Sequence, residues 1–343
     1  MPDGYLQNLD DLIGAGIVQE DARAALIPVA QRYAIGVPAA FAALIGSPDD
    51  PIGLQVIPSA EELETAAHEA PDPIGDDAHS PVRGVVHRYA DRVLIKPLLV
   101  CPLYCRFCFR REQVGPDGGL LTPAELDAAV AYVAARPAIR EVILTGGDPL
   151  LLSPRRLSAL LAALEAIPHV ELLRIHTRVP VADPARITEA LAAALETDKP
   201  LYVLLHANHA RELTPDAVAA LKRLQSRAIP VLGQTVLLRG VNDTAEALEA
   251  LFRTMLRARV KPYYLHQLDA APGTARFHVP IVEGQALLRA LRGRLTGLAW
   301  PTYVLDIAGG HGKVPIGPGY LTQDGVRDPG GALHALADPI PAS

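Results

Sequence analysis

Apolar runs recur through the middle of the chain at intervals of about 30 residues. Each run has the length and the β-branched or leucine-rich content of a buried strand. The runs begin near Glu141, Glu171, Leu201, Val231 and Lys261. Predicted helix starts alternate with these runs. The first four are a capping side chain followed by proline, at Thr122-Pro123, Ser153-Pro154, Asp183-Pro184 and Thr214-Pro215, and the fifth is Asp243. Strands and helices that alternate at a constant period predict parallel βα units.

An earlier apolar run at 92–100 makes six predicted strands, and a further run at 302–306 is a candidate seventh. This number predicts an α/β fold with a partial (β/α)6-type barrel, and a doubly wound open sheet is the alternative. The period is absent from residues 1–85, whose composition predicts a mainly helical N-terminal cap. Residues 86–320 form the predicted barrel domain, and the Gly/Pro-rich residues 321–343 form a predicted C-terminal tail.

Polar side chains follow the predicted strands at the points where the strands end. In parallel α/β folds the active site lies at the carboxyl ends of the strands, so this pattern indicates a functional rim. Its members are the cysteine segment 101–108, residues 145–148, His176, His206, Asn208, His209, Gln234, His266, Gln267, Asp269 and Asp306.

The composition excludes several other classes of protein. Half of the 343 residues are apolar, and the net charge of −6 provides no basic surface for a nucleic acid. The sequence has neither a long uncharged apolar run nor a basic N-terminus followed by one, so we expect no membrane span and no secretory signal. Free cysteines in such a chain favour a cytoplasmic location.

All three cysteines of the chain, Cys101, Cys105 and Cys108, lie in one short segment. Three thiols cannot all pair as disulfides, and their clustering indicates a shared ligand. Three thiolates can hold three corners of a 4Fe-4S cluster, which usually takes four, so one iron would be open for a ligand that is not protein. A structural zinc, completed by one of the 11 histidines, is the alternative interpretation.

Two glycine-containing motifs lie on the same predicted rim. Gly146, Gly147 and Asp148 follow a strand, where glycines either make an ordinary turn or let the backbone approach a ligand closely. Lys313 follows a glycine-rich stretch at 309–312. Most loop lysines are solvated, and the functional alternative is a lysine that binds pyridoxal 5′-phosphate (PLP) through its amine.

The spacing of the cysteines, with an aromatic residue before the last, resembles the signature of the radical S-adenosylmethionine (SAM) enzymes. Five segments further resemble the lysine 2,3-aminomutase family, in order and nearly in spacing: 87–94, 101–112, 233–243, 262–269 and 292–315. The resemblance implies a partial barrel and an isomerase. Its reaction would move the 2-amino group of L-lysine to C3, giving β-lysine, by means of a 5′-deoxyadenosyl radical.

The resemblance also implies three cofactors and the residues that hold them. They are Cys101, Cys105 and Cys108 for the 4Fe-4S cluster; Lys313, Arg88, Tyr89 and Arg92 for PLP and its phosphate; and Gly146, Gly147, Asp148, His206 and Gln234 for S-adenosyl-L-methionine. Arg110 would bind the substrate carboxylate, and Asp269 and Asp306 its side-chain ammonium. Each of these three residues taken alone is more typical of a surface ion pair. Together they favour lysine over glutamate, whose side chain would meet like charge.

The sequence departs from the larger members of that family. They carry further cysteines that bind structural zinc at subunit contacts, whereas Thr244 stands at one such position here and no cysteine follows Cys108. The short chain resembles the branch that makes β-lysine for modification of elongation factor P, and a radical SAM enzyme of another reaction class without PLP is a further alternative. The partners implied are a small amino-acid substrate, an electron donor such as flavodoxin or ferredoxin, and a second copy of the chain in a homo-oligomer.

Overall fold

A nine-stranded sheet whose strands follow one another in chain order forms the centre of the fold. The structure is a computed structural model that describes residues 4–322 and 324–335. The strands are β1 (Val85–Tyr89), β2 (Arg92–Leu98), β3 (Glu141–Gly146), β4 (Leu172–Thr177), β5 (Leu201–His206), β6 (Val231–Val236), β7 (Lys261–His266), β8 (Thr302–Ile307) and β9 (Gly312–Pro315). Strands β2 to β8 are parallel, and β1 and β9 pair antiparallel at the two edges.

Helices occupy the N-terminal region and each crossover of the parallel sheet. They are α1 (Leu9–Gly14), α2 (Arg23–Arg32), α3 (Ala39–Ala42), α4 (Pro123–Ala134), α5 (Pro154–Glu165), α6 (Val179–Ala182), α7 (Glu189–Ala193), α8 (Pro215–Gln225), α9 (Ala245–Arg257) and α10 (Ile281–Leu291). The apolar face of α5 shows why these helices pack on the sheet: Leu157, Leu160, Leu161 and Leu164 are all buried in the main core. Burying a leucine contributes about 1.5–3 kcal/mol.

The two edge strands approach each other and nearly close the sheet. The hydroxyl of Tyr89, at the end of β1, accepts a hydrogen bond from the backbone N–H of Lys313 on β9 at 2.7 Å. The predicted partial (β/α)6-type barrel is therefore confirmed, and the open doubly wound sheet is not the fold.

Three of the five predicted helix starts are confirmed, because Thr122, Ser153 and Thr214 each cap a helix with the side-chain oxygen. Two were wrong. Asp183 precedes only a short 3-10 turn, and α7 begins after Thr188. Helix α9 is capped by Thr244, one residue after the predicted cap.

The region before β1 packs against the cysteine segment. Its apolar side chains form a separate buried cluster that includes Leu103 from the cysteine segment and Ala182 from α6. The stretch 59–70, which belongs to the cap that the composition predicted to be mainly helical, contains only the short 3-10 helix Ala60–Leu63. Glu62 in that turn is fully buried, where it pairs with Arg106 and Arg111. The N-terminal region thus covers one side of the cysteine segment.

The predicted tail at 321–343 is described only in part, because residue 323 and residues 336–343 lie outside the described residues. Its described part forms a small antiparallel sheet of β10 (Leu321–Thr322), β11 (Gly325–Arg327) and β12 (Leu333–His334). Within 4–322 and 324–335, no helix is both long and apolar enough to cross a membrane.

Candidate functional site

One large cavity occupies the inside of the barrel, with a volume of about 1120 Å³. Drug-sized ligand pockets usually measure about 300–1,000 Å³, so the cavity has room for more than one ligand. All the site residues that the family resemblance implied line it: Arg88, Tyr89, Arg92, Cys101, Cys105, Cys108, Arg110, Gly146, Gly147, Asp148, His206, Gln234, Asp269, Asp306 and Lys313. Three residues of the predicted rim, Asn208, His209 and Gln267, are not among its lining residues. Strand ends that are far apart in the sequence therefore meet at one site.

The cysteine segment follows β2 and is held by backbone hydrogen bonds. Cys108 N–H donates to the Cys105 carbonyl at 3.2 Å, and Arg106 N–H donates to the carbonyl of Gln55 at 2.8 Å. Burial, and then the charge of a neighbouring cysteine, raise the pKa of Cys101 well above its usual value and that of Cys108 to about 11. These thiols therefore need a bound cation to ionise near neutral pH. Among the described residues, no three His, Cys, Asp or Glu side chains are placed so that together they could hold one metal ion.

Gly146 and Gly147 bring the end of β3 against the cysteine segment. A Cβ on Gly147 would lie 2.2 Å from the carbonyl oxygen of Val100, and Gly146 has a φ of +108°. The backbone N–H of Gly147 donates to Leu98 at 2.8 Å, across the same contact. These two positions require glycine, because any side chain would push away the residues that lead into Cys101.

The carboxylate of Asp148 is buried and accepts several hydrogen bonds from the protein itself. It accepts hydrogen bonds from the Thr177 hydroxyl at 2.8 Å and from the backbone N–H groups of Leu150, Arg178 and Val179. Burial raises its pKa, although these donors oppose the shift. Asp148 thus joins the ends of β3 and β4.

Arg178 is a site residue that the sequence analysis missed. It directly follows β4, and its Nη1 donates to the sulfur of Cys105 at 2.7 Å. Its Nη2 donates to Gln55 and Glu212. A lone arginine after a strand is not distinctive in a sequence, so only the fold brings it to the cysteines.

His206 and Gln234 are register partners at the ends of β5 and β6. The His206 Nε2 lies 3.2 Å from the Asn208 side-chain oxygen. Burial, and then the charge of Arg178, lower the pKa of His206 to about 3, so this imidazole is neutral near pH 7. The two side chains provide an uncharged polar wall next to the cysteines.

Lys313 lies on β9 and not in the loop that its glycine-rich sequence predicts. Gly309, Gly310 and Gly312 all have positive φ and turn the chain back, so that Lys313 pairs with Asp306 on β8. Its ammonium forms an ion pair with Asp306 and lies 3.3 Å from His266 Nδ1. A four-residue strand of Gly-Lys-Val-Pro has no strand signal of its own, and it forms because β8 offers an edge.

Asp269 lies deep in the same part of the cavity. Burial, and then the charge of Asp306, raise its pKa from 3.8 to about 7. Burial, followed by the charge of Lys313, lowers the pKa of His266 well below its usual value, so His266 is neutral. Two carboxyl groups and a neutral imidazole around one amine make this end of the cavity favourable for cationic groups.

Arg110 and Arg88 share one buried carboxylate that the sequence analysis also missed. Asp76, from the region before β1, accepts from Arg110 Nε and Nη2 at 3.0 and 2.7 Å and from Arg88 Nη2 at 3.1 Å. Burial opposes its charge, but Arg110 above all holds the pKa of Asp76 below its usual value. Arg92 stacks over the ring of Tyr89 at 3.8 Å, which places a third guanidinium on this side.

Residues 95–253 match the family model of the Radical SAM superfamily. The L-lysine 2,3-aminomutase of Clostridium subterminale is 38% identical over 298 residues, which are 85% of this chain and 72% of that protein. The glutamate 2,3-aminomutase of Clostridioides difficile is 34% identical over 276 residues, 80% of this chain and 65% of that protein. Among solved structures, Streptococcus suis SuiB bound to S-adenosylmethionine aligns with 67% of this chain and 52% of its own, with a TM-score of 0.49 and 14% identity. The 38% identity over most of both chains decides the assignment: this chain belongs to the lysine 2,3-aminomutase family of the radical SAM superfamily.

Proposed function

We propose that the protein is a radical SAM, PLP-dependent aminomutase that interconverts L-lysine and β-lysine. The observation that carries this proposal is the arrangement of charges in one cavity: an amine at Lys313 between acidic groups, an arginine at Arg110, and three cysteines. Membership of the family supports the reaction class. The charges around Lys313 support the substrate.

The residues around the cysteines fit an iron–sulfur cluster and SAM. The three thiols face one cavity, and a guanidinium group donates to one of the sulfurs, as suits a thiolate ligand. With SAM bound, the cluster supplies the one-electron chemistry that releases a 5′-deoxyadenosyl radical. We assign the neutral side chains of His206 and Gln234 and the backbone of Gly146 and Gly147 to the SAM pocket.

The residues around Lys313 fit PLP. The lysine amine faces the cavity, and Arg88 and Arg92 offer positive charge for a phosphate group. PLP supplies a conjugated imine that lets nitrogen migrate between neighbouring carbons. Tyr89 orients Lys313 by accepting a hydrogen bond from its backbone N–H, and the neutral His266 lies beside the lysine amine without adding a positive charge.

The charges at the two ends of the cavity support lysine as the substrate. Asp269 and Asp306 would bind the side-chain ammonium, whereas the side chain of glutamate would meet like charge; two unit charges 4 Å apart interact by about 4 kcal/mol at an effective dielectric constant of 20. In the described part of the chain, Nη1 of Arg110 has no protein partner. This nitrogen can therefore bind the substrate carboxylate while the other edge of the guanidinium stays on Asp76.

The test is anaerobic reconstitution of the full chain with iron and sulfide, followed by reductant, SAM, PLP and either L-lysine or L-glutamate. We expect β-lysine from L-lysine and no product from L-glutamate. Lys313→Ala should abolish both the product and the visible absorbance of bound PLP, whereas Lys222→Ala, at an exposed position of α8, should change neither.

Each failure of this experiment has a distinct meaning. A reconstituted protein that holds zinc and no iron rejects the radical SAM chemistry. A cluster-loaded protein that never binds PLP supports the alternative of another reaction class. Turnover of a different amino acid rejects the lysine assignment alone.

A further inference from the structure

We propose that Arg178 is a positioning residue that raises the reduction potential of the cluster by donating an N–H···S hydrogen bond to Cys105. The inference rests on the proposed cluster at the three cysteines. The contact is specific, since Nη1 of Arg178 lies 2.7 Å from the Cys105 sulfur. Arg178 is itself buried, with 6% of its surface exposed, so bulk water does not weaken this contact.

The surroundings of Arg178 fix its guanidinium against the sulfur. Nη2 donates to the Gln55 side-chain oxygen at 2.5 Å and to Glu212 at 3.0 Å. Asn208 donates to the same Gln55 oxygen at 3.0 Å, and its backbone N–H donates to Glu212 at 2.9 Å. Gln55 and Glu212, which bind Arg178, are thus held in turn by Asn208, and all three side chains are fully buried.

Two aromatic rings complete the setting of the guanidinium. Its central carbon lies 5.2 Å from the ring centroid of Phe41 and 5.6 Å from that of Phe107. These distances allow cation–π attraction, which is strongest where water is excluded. The two rings belong to the N-terminal region and to the cysteine segment, so the region before β1 helps to place a charge beside the cluster.

The direction of the effect follows from the charges. One electron, supplied by an external low-potential one-electron donor, adds negative charge to the cluster and its sulfurs. Nη1 of Arg178 faces the sulfur, whereas the counter-charge, Glu212, binds Nη2. Hydrogen bonds to cluster sulfurs and nearby net charge are known levers on the potential. Arg178 therefore stabilises the reduced state more than the oxidised state.

The test is a redox titration of the reconstituted full chain, monitored by electron paramagnetic resonance of the reduced cluster in the absence of SAM. Arg178→Gln should lower the ratio of reduced to oxidised cluster about tenfold at a fixed potential, about 59 mV for one electron. Arg178→Lys keeps the charge and should give an intermediate potential. The matched control is Arg186→Gln, because Arg186 donates to the carbonyl of Leu150 instead of a sulfur.

A second measurement compares the wild type with Arg178→Lys. In protein that carries arginine labelled with 15N only at the guanidinium, which leaves out the backbone N–H of Arg110 beside Cys108, pulsed electron paramagnetic resonance of the reduced cluster should detect a 15N hyperfine coupling that Arg178→Lys removes. If Arg178→Gln fails to bind iron, this coupling decides the question. Absence of the coupling, or equal potentials in the wild type and both Arg178 variants, overturns the inference while leaving the aminomutase proposal intact. A wild-type chain that binds no iron overturns both.

Discussion

Asp269→Asn removes one charge from the buried carboxyl pair while keeping the shape of the side chain. In the folded protein, burial and then Asp306 raise the pKa of Asp269 from 3.8 to about 7. The unfolded chain ionises this group near its ordinary value, so ionisation increasingly favours the unfolded state as the pH rises from about 4 to about 7. At 1.36 kcal/mol per pKa unit, this destabilisation reaches at most about 4 kcal/mol and stays constant at higher pH.

The assay is urea denaturation of the ligand-free protein at pH 5.5 and pH 8. We expect Asp269→Asn to raise the free energy of unfolding at both pH values and to raise it more at pH 8. Asp127→Asn, at an exposed position of α4, is the matched control and should change little. Equal stability of the wild type and Asp269→Asn at pH 8 would refute the raised pKa.

The same substitution has the opposite effect on substrate binding. An ammonium group between Asp269 and Asp306 requires Asp269 to be ionised, so the affinity for L-lysine should fall as the pH drops below about 7. Breaking a buried ion pair costs about 3–5 kcal/mol, which is a loss in affinity of more than a hundredfold for Asp269→Asn at pH 8. Calorimetric titration with L-lysine measures this loss, and undiminished binding would contradict the proposed orientation of the substrate.

Three further substitutions test the scaffold of the site. Gly147→Ala should reduce the iron bound on reconstitution, because its Cβ would meet a carbonyl oxygen at 2.2 Å, whereas Gly14→Ala has open space and should bind iron normally. Asp76→Asn should lower the stability by about 3–5 kcal/mol in thermal unfolding, and the exposed Asp77→Asn should not. Because the pKa of Asp76 is lowered, this difference should be present near neutral pH and disappear as the pH falls through its folded pKa. Tyr89→Phe should cost about 0.5–1.5 kcal/mol in stability, because it loses the hydrogen bond from the backbone N–H of Lys313, and under the proposed function it should weaken PLP binding measured by absorbance.

The parallel strands were predictable because each is a buried apolar run at a constant period. β2 to β8 all begin at or within one residue of a predicted start. The edge strands β1 and β9 were not predicted, since each pairs on one side only and carries polar or glycine residues. β9 is a strand because it pairs with β8, and a short stretch of sequence does not reveal such a pairing.

The residues of the site also fall into a predictable group and a group that only the fold reveals. The positions of residues in family motifs, such as Arg110 and Lys313, could be predicted because each motif coincides with a strand end, and both residues line the cavity. Their buried partners could not, because Asp76 and Gln55 lie in a region without periodicity and reach the site only through tertiary packing. Arg178 follows β4 without a recognisable motif, and only the folded structure shows that its side chain reaches the sulfur of Cys105.

The central claim is that nitrogen moves between neighbouring carbons of lysine, and one labelling experiment tests it directly. The reconstituted enzyme, with SAM, PLP and reductant, is given L-lysine that carries 15N only at its α-amino group, and the products are separated and analysed by mass spectrometry and NMR. We expect β-lysine with the 15N on C3 and an unlabelled side-chain nitrogen. Failure to form β-lysine in a preparation that contains iron, cleaves SAM and binds PLP would contradict it.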